Sequence, residues 1–273
     1  MTAITLRHPV VAGRFYPHDP TTLREEVGAY LSQASSLKPV LALGCIAPHA
    51  GYVYSGHVAG AVFAALEIPK LCVVMCPNHT GMGSALAIVG EGIWKTPLGD
   101  VPIDTEFAAA LKQRCPLLQE DSVAHRAEHA VEVELPFLQM RQPKLKIVPI
   151  ALGTRMFDAL EELGLALADV IAAQHDPILI VASSDMNHYE SDDVTRVKDQ
   201  IAIEPILHLD ARALYEAVTE RDISMCGFGP AVAMLTATRK LGATAAELVK
   251  YATSGDISGD RDAVVGYAGI VVR

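Results

Sequence analysis

The chain is punctuated by short, nearly uninterrupted apolar runs, and runs of that kind settle as strands covered on both faces. They are Val40–Ala47, Leu71–Cys76, Ala85–Val89, Leu145–Ile150, Ile178–Ala182, Glu247–Ala252 and Val264–Val272. The segments between them carry helical patterns. Thr22, Leu23, Arg24 and Glu25 spell a capping box ahead of a helix running to about Leu31. His57–Leu66 is Ala-rich and apolar, and Asp104–Cys115 opens with an acidic turn. Ala127–Met140, Phe157–Ala173, Asp210–Val218 and Pro230–Leu241 complete the helices. Such alternation implies a three-layer α/β fold: a mostly parallel or mixed central sheet with helices on both faces. The longest linker-like stretch, Ser32–Lys38, is too short to separate one domain from another, so residues 1–273 are expected to form a single domain.

A chain of 273 residues buries roughly three quarters of its unfolded surface and needs no disulfide or zinc staple. The net charge is −10 with no basic run, which argues against nucleic acid or anionic lipid as partners. The five cysteines, Cys45, Cys72, Cys76, Cys115 and Cys226, include no C-x-x-C pair, and three sit in apolar runs where Cys behaves as a small hydrophobe. That usage fits a reducing compartment. No apolar stretch reaches the roughly 18 residues of a membrane span, and the N-terminus lacks a signal-peptide core. The expectation is a cytoplasmic protein.

In an open α/β sheet the functional crevice lies beyond the carboxyl ends of the strands. Pro48 and His49 follow the first long run, and Pro77, Asn78 and His79 follow the second. Ser183, Ser184, Asp185 and His188 follow the run ending at Ala182, and Ser254, Gly255 and Asp256 follow the one ending at Ala252. The X-Pro steps stiffen the two histidine loops, as ligands of a metal require. Each histidine alone could equally hydrogen-bond backbone, and the Gly-rich loop of Asp256 could be a plain turn. Together, His49, His79 and Asp256 would make a two-histidine, one-carboxylate set with open positions, suited to Fe(II), with Zn(II) or Mn(II) chemically possible. His188 is then a candidate acid/base, with Asp185 and His129 orienting it.

Other readings compete. His125, Glu128 and His129 spell H-x-x-E-H, which on a continuous helix would make a zinc hydrolase. Pro136 so soon afterwards weakens that. A serine triad from Ser184, Asp185 and His188 lacks the G-x-S-x-G elbow. Cys226 has no local base and is expected to be structural, and Tyr52 and Tyr54 fit core packing as well as a pocket wall. A pocket of this kind could also serve a non-catalytic module that binds a peptide or protein. No P-loop or G-x-G-x-x-G follows a strand, so nucleotide binding finds no support.

The motifs Ala12–Pro17, Ala47–Gly56, Cys76–His79, Trp94–Gly99, His125–Phe137, Ser183–Tyr189 and Tyr251–Asp256 occur in the order found in the Memo family, which the chain resembles from about residue 12 to 270. Prokaryotic members are called AmmeMemoRadiSam system protein B. The resemblance implies a fold similar to the LigB-type extradiol dioxygenases, which are non-haem iron enzymes. It implies that His49 and His79 match the family's metal histidines and that Asp185, His188 and His129 match polar pocket residues. Animal members carry a cysteine as third ligand, with which copper chemistry is associated. Ungapped counting from Tyr267 puts that cysteine at Ile257, so the neighbouring Asp256 is the expected substitute. The system name implies a functional link to a radical-SAM protein and an AMMECR-domain protein, and the substrate is unspecified.

Overall fold

The computed structural model describes residues 5–33 and 38–273, so the linker-like stretch Ser32–Lys38 lies mostly outside the described residues. In chain order the strands are β1 (Leu6–Arg7), β2 (Gly44–Ala47), β3 (Leu71–Pro77), β4 (Leu86–Ile88), β5 (Ile93–Thr96), β6 (Gly99–Pro102), β7 (Gln119–Glu120), β8 (Lys146–Leu152), β9 (Ile178–Ser183), β10 (His188–Glu190), β11 (Ala246–Thr253) and β12 (Val264–Val272). The helices are α1 (Pro20–Ser32), α2 (Tyr52–Ala64), α3 (Thr105–Arg114), α4 (Val123–Arg126), α5 (Ala130–Arg141), α6 (Phe157–Ala172), α7 (Asp192–Leu207), α8 (Ala211–Glu220), α9 (Phe228–Lys240) and α10 (Gly255–Ser258).

Among the described residues, nine strands form one mixed sheet. Its centre, β2-β9-β3-β8, is parallel throughout. β12 runs antiparallel to β2 on one flank and carries β11 on its far side, while β4 runs antiparallel to β8 on the other. A small separate sheet joins β1, β5 and β6. Successive side chains of a strand point to opposite faces, and here each face has its own core. Cys45, Cys72, Val74 and Val181 pack against Leu23 and Val27 of α1, Val62 and Phe63 of α2, and Phe137 of α5. Ile46, Val73, Met75 and Ile180 face Leu160, Leu163 and Leu167 of α6 and Val232 and Leu235 of α9. That is the three-layer arrangement expected from the apolar runs. All five cysteines are free thiols, and no described helix is long and apolar enough to cross a membrane.

The differences from expectation have local causes. Helix α1 starts three residues earlier than the capping box implies: Asp19 accepts the Thr22 N–H at 2.8 Å, with Pro20 in the first turn. Helix α2 starts at Tyr52 and not His57, because Gly51 caps it without any side-chain bond that the sequence could advertise. The expected helix 127–140 is α5, which starts three residues later because residues 127–129 break from the short α4 ahead of it, and Pro136 is tolerated inside α5. Helix α7 has no counterpart among the sequence expectations; its low mean hydropathy and internal Pro205 hide its amphipathic pattern.

Candidate metal centre

Strand register brings the site together. Ala47 at the end of β2 pairs with Ser183 at the end of β9, and β3 pairs with the other side of β9. The loops leaving β2, β9 and β3 therefore meet at one end of the sheet. His49 is buried, and its backbone N–H donates to Asp185 Oδ1 at 2.9 Å. The His49 Nδ1 sits 2.8 Å from Ser183 Oγ, so Nε2 is the nitrogen presented to the loop cluster. The His79 Nδ1 lies 2.9 Å from Glu128 Oε1, and its backbone N–H donates to Glu128 Oε2 at 2.7 Å. With Nδ1 so engaged, its Nε2 is the free atom.

The third member is His129. The break between α4 and α5 makes it the cap residue of α5, where Glu128 accepts its backbone N–H at 2.8 Å and that of Ala130 at 2.9 Å. Its ring stacks on His79, with centroids 4.8 Å apart, and lies 5.5 Å from His49. Ligand-capable nitrogens of His49, His79 and His129 all lie within 4.8 Å of one another. Glu128 thus steadies two of the three rings, the usual way a carboxylate orients metal-binding imidazoles.

The electrostatics favour the neutral imidazole at His49 and His129 and the protonated one at His79. Burial, then the neighbouring histidines, holds His49 well below the ordinary histidine range. Burial also lowers His129, against the pull of Glu128. For His79 burial works in the same direction, but the hydrogen bond and charge of Glu128 overcome it and raise the pKa. Protons therefore compete with a cation chiefly at His79.

The expected carboxylate is elsewhere. Asp256 lies on α10 after β11, and β12 stands between β11 and β2, so Asp256 is two strand spacings, roughly 10 Å, to the side. There its oxygens accept Arg196 Nη2 at 2.8 Å each, Arg261 Nη2 at 3.2 Å and the Thr253 N–H at 2.9 Å. Ile257, the position reached by ungapped counting, is 47% exposed on the same short helix. The cysteine that does reach the pocket is Cys226, just before α9. Its Sγ is 3.4 Å from His49 Nε2 and accepts the Asp185 N–H at 3.3 Å. A side chain at Gly227 would collide with the Ser183 carbonyl, so only glycine lets this turn close onto the β9 loop. No local pattern marks Cys226, whose contact with His49 spans 177 positions of the chain.

Asp185 and His188 line the same cavity of about 580 Å³, with Phe15, Tyr189 and Ser224 on its walls. His188 Nδ1 sits 2.9 Å from the Ser224 carbonyl, so this backbone group, not Asp185 or His129, orients it and leaves Nε2 for the cavity. Burial lowers the His188 pKa and raises that of Asp185 to about 7. Tyr189, 78% exposed, holds a left-handed backbone conformation with φ of 61° at the rim. Tyr52 is in the core, donating its hydroxyl to the Val133 carbonyl at 2.7 Å, and neither it nor Tyr54 lines the cavity.

The H-x-x-E-H reading fails on geometry. His125 is buried edge-on to Trp94, with Nε2 3.2 Å from the Ala87 carbonyl, and the helix break removes the face it would share with His129.

These carboxyls and histidines set a pH profile. Burial raises Glu134 to about 8, and Asp185 and Asp199 to about 7. Their folded forms hold protons more tightly than the unfolded chain, so the stability they contribute is complete below the unfolded carboxyl range near 4 and is lost as pH rises through 7 to 8. His49, His125, His129 and His188 are depressed and oppose acidification below about 6.5. Metal-free protein is expected to melt highest near pH 6.5 and progressively lower towards pH 8.5. Thermal melts across this range check it, and a melting temperature that climbs from pH 6.5 to 8.5 contradicts it.

A three-layer α/β fold with three histidines clustered beyond its strand ends is compatible with metal binding at the sheet's carboxyl edge. The sequence pattern of the family described as Memo-like protein matches residues 7–271, and this chain belongs to that family. It is 42% identical to a MEMO1 family protein of Methanopyrus kandleri, covering 98% of this chain and 99% of that one. A MEMO1 family protein of Methanosarcina barkeri is 43% identical, covering 98% and 100%. The crystal structure of an uncharacterized protein from Escherichia coli K12 shares the fold at a TM-score of 0.56 and 12% identity, covering 84% of this chain and 98% of that one.

Proposed function

We propose that the protein is a metal-dependent enzyme in which His49, His79 and His129 hold a divalent cation at the floor of the cavity. The single observation that carries this is the convergence of three imidazoles whose nitrogens lie within 4.8 Å of one another. The donor set suits the group: imidazole binds iron, zinc and copper, and the Cys226 thiol beside His49 adds a softer donor. Iron(II) is the cation favoured by the resemblance to extradiol dioxygenases, and the reaction class is then oxidoreductase, with dioxygen or an aromatic hydroxyl as reactant. The chemistry such a cation supplies is Lewis acidity and, for iron, electron exchange with dioxygen.

The chain's own groups have distinct tasks in this reading. His188, neutral because it is buried and oriented by Ser224, presents Nε2 to take a proton from a substrate hydroxyl. Asp185 anchors the His49 backbone and offers a second proton site close to neutrality. Phe15 and Tyr189 supply aromatic surface, and the cavity volume suits a small organic molecule. The free thiols fit a reducing cytoplasm, and a link to radical-SAM and AMMECR-domain proteins belongs to the same proposal.

A second reading has its own support. Three histidines without a carboxylate are also a catalytic zinc set, which would activate water for hydrolysis. The discriminating experiment loads protein purified without air with Fe(II) or with Zn(II). Oxygen uptake on vicinal aromatic diols is measured for the first, and ester hydrolysis for the second. The iron reading expects uptake that falls by about 10²–10⁴-fold in His188→Ala with bound iron retained. Hydrolysis by the zinc form, with no oxygen uptake by the iron form, would replace it.

A further inference from the structure

Behind His49 lies a buried carboxyl that the proposed chemistry does not use. Glu134 on α5 is wholly inaccessible, and among the described residues only one of its oxygens is engaged: Oε1 accepts from Ser183 Oγ at 2.6 Å, while Oε2 finds no partner there. Ser183 in turn touches His49 Nδ1 at 2.8 Å and the Ala130 carbonyl at 3.2 Å. Three neighbours compete for one hydroxyl proton. Once Glu134 is ionised, its carboxylate takes that proton, because it is the nearest acceptor and a charged acceptor makes the stronger bond. Ser183 can then only accept from His49, which makes Nδ1–H the donor and leaves the Nε2 lone pair facing His79, His129 and Cys226.

We infer that Glu134 is a positioning residue for the metal centre, acting through Ser183 to fix the His49 tautomer that can bind a divalent cation; this rests on the proposed metal reading. The surroundings make the link two-way. The other ionisable groups that face Glu134 are Cys45 from β2, Tyr52 from α2 and Asp185 from the β9 loop, and none of them is a cation. The positive charge that could balance a Glu134 carboxylate is the one bound across His49. Burial keeps the carboxyl largely protonated at neutral pH. Its acid proton then bonds Ser183, whose own proton is free to turn to the Ala130 carbonyl or to His49 Nδ1. When a divalent cation engages Nε2, the Glu134 proton leaves to solvent, one charge balancing one of the two that arrive.

The test titrates ZnCl₂ into the full-length protein by calorimetry at pH 7. Two buffers of different ionisation heat are used, so that protons released per zinc are counted, for wild type, Glu134→Gln and Ser183→Ala. Glutamine keeps the volume but cannot ionise, and alanine cuts the link while leaving Glu134 in place. Wild type is expected to release up to one proton more per zinc than Glu134→Gln, and both variants to bind zinc about 10–100-fold more weakly. In metal-free protein the ¹⁵N shifts of His49 should move towards Nδ1–H as pH rises from 7 to 9 in wild type, and should not do so in Ser183→Ala or Glu134→Gln. A merely structural glutamate would lower thermal stability without moving the proton count or the tautomer. Should Glu134→Gln fail to fold, Ser183→Ala decides by itself: wild-type affinity there overturns the inference. His79→Ala separates the two levels. No zinc bound by wild type removes the metal reading and this inference with it. Zinc bound by wild type and lost in His79→Ala, with Glu134→Gln and Ser183→Ala like wild type, removes this inference alone.

Discussion

Replacing His129 with alanine is expected to weaken divalent-metal binding by more than about 100-fold, as much as replacing His49 or His79, because each supplies one of three convergent nitrogens. Asp256→Ala should leave metal binding within about twofold, since that carboxylate is spent on Arg196 and Arg261. Its stability cost should stay below about 1 kcal/mol, the worth of partly exposed ion pairs. Metal stoichiometry after dialysis, across the four single variants, gives the comparison. The informative contrast is between His129→Ala and Asp256→Ala: metal retained in the first and lost in the second would restore the two-histidine, one-carboxylate centre.

Glu132→Ala should destabilise the fold by about 3–5 kcal/mol. Glu132 is wholly buried in α5 and is the hub for the segment ahead of α1. It accepts the N–H groups of Val10 at 2.9 Å and Val11 at 3.0 Å and the Tyr16 hydroxyl at 2.6 Å, and it pairs with the nearly buried Arg7. Truncation would leave a guanidinium, two amides and a phenol without their acceptor at once. For a chain of this length the melting temperature should drop by roughly 10 °C. The damage should reach the metal centre, because the same segment sets Phe15 edge-on against His129 at 4.9 Å, and Arg7 also donates to the Glu128 carbonyl. Scanning calorimetry with parallel zinc titration checks both effects. A loss under about 1 kcal/mol would mean that the N-terminal segment holds its place without this hub.

The strands were legible because strands covered on both faces are apolar throughout: Leu71–Cys76, in the parallel centre, differs from its element by one residue, and Val264–Val272, antiparallel beside it, matches at both ends. His49 and His79 were legible because proline marks both strand ends and the two loops flank β9. The rest of the site depends on facts that no local pattern encodes. Strand order put β12 between the Asp256 loop and β2, and two arginines from other segments took the carboxylate. The sequence places His129 in the pocket only as a group orienting His188, with the helical motif as a competing reading, and the break before α5 frees it to join the other two histidines. Cys226, Ser183 and Glu134 acquire meaning through partners that tertiary packing supplies. Cys226 meets the site across the α9 turn, and Glu134 sits on the face of α5 turned to the end of β9.

The central claim is tested most directly by anomalous scattering from a crystal soaked anaerobically in Fe(II) and, separately, in Zn(II). One peak is expected within about 2.0–2.2 Å of Nε2 of both His49 and His79 and of a ring nitrogen of His129. A peak at the Asp256 carboxylate, or none among the three imidazoles at saturating metal, would contradict the account.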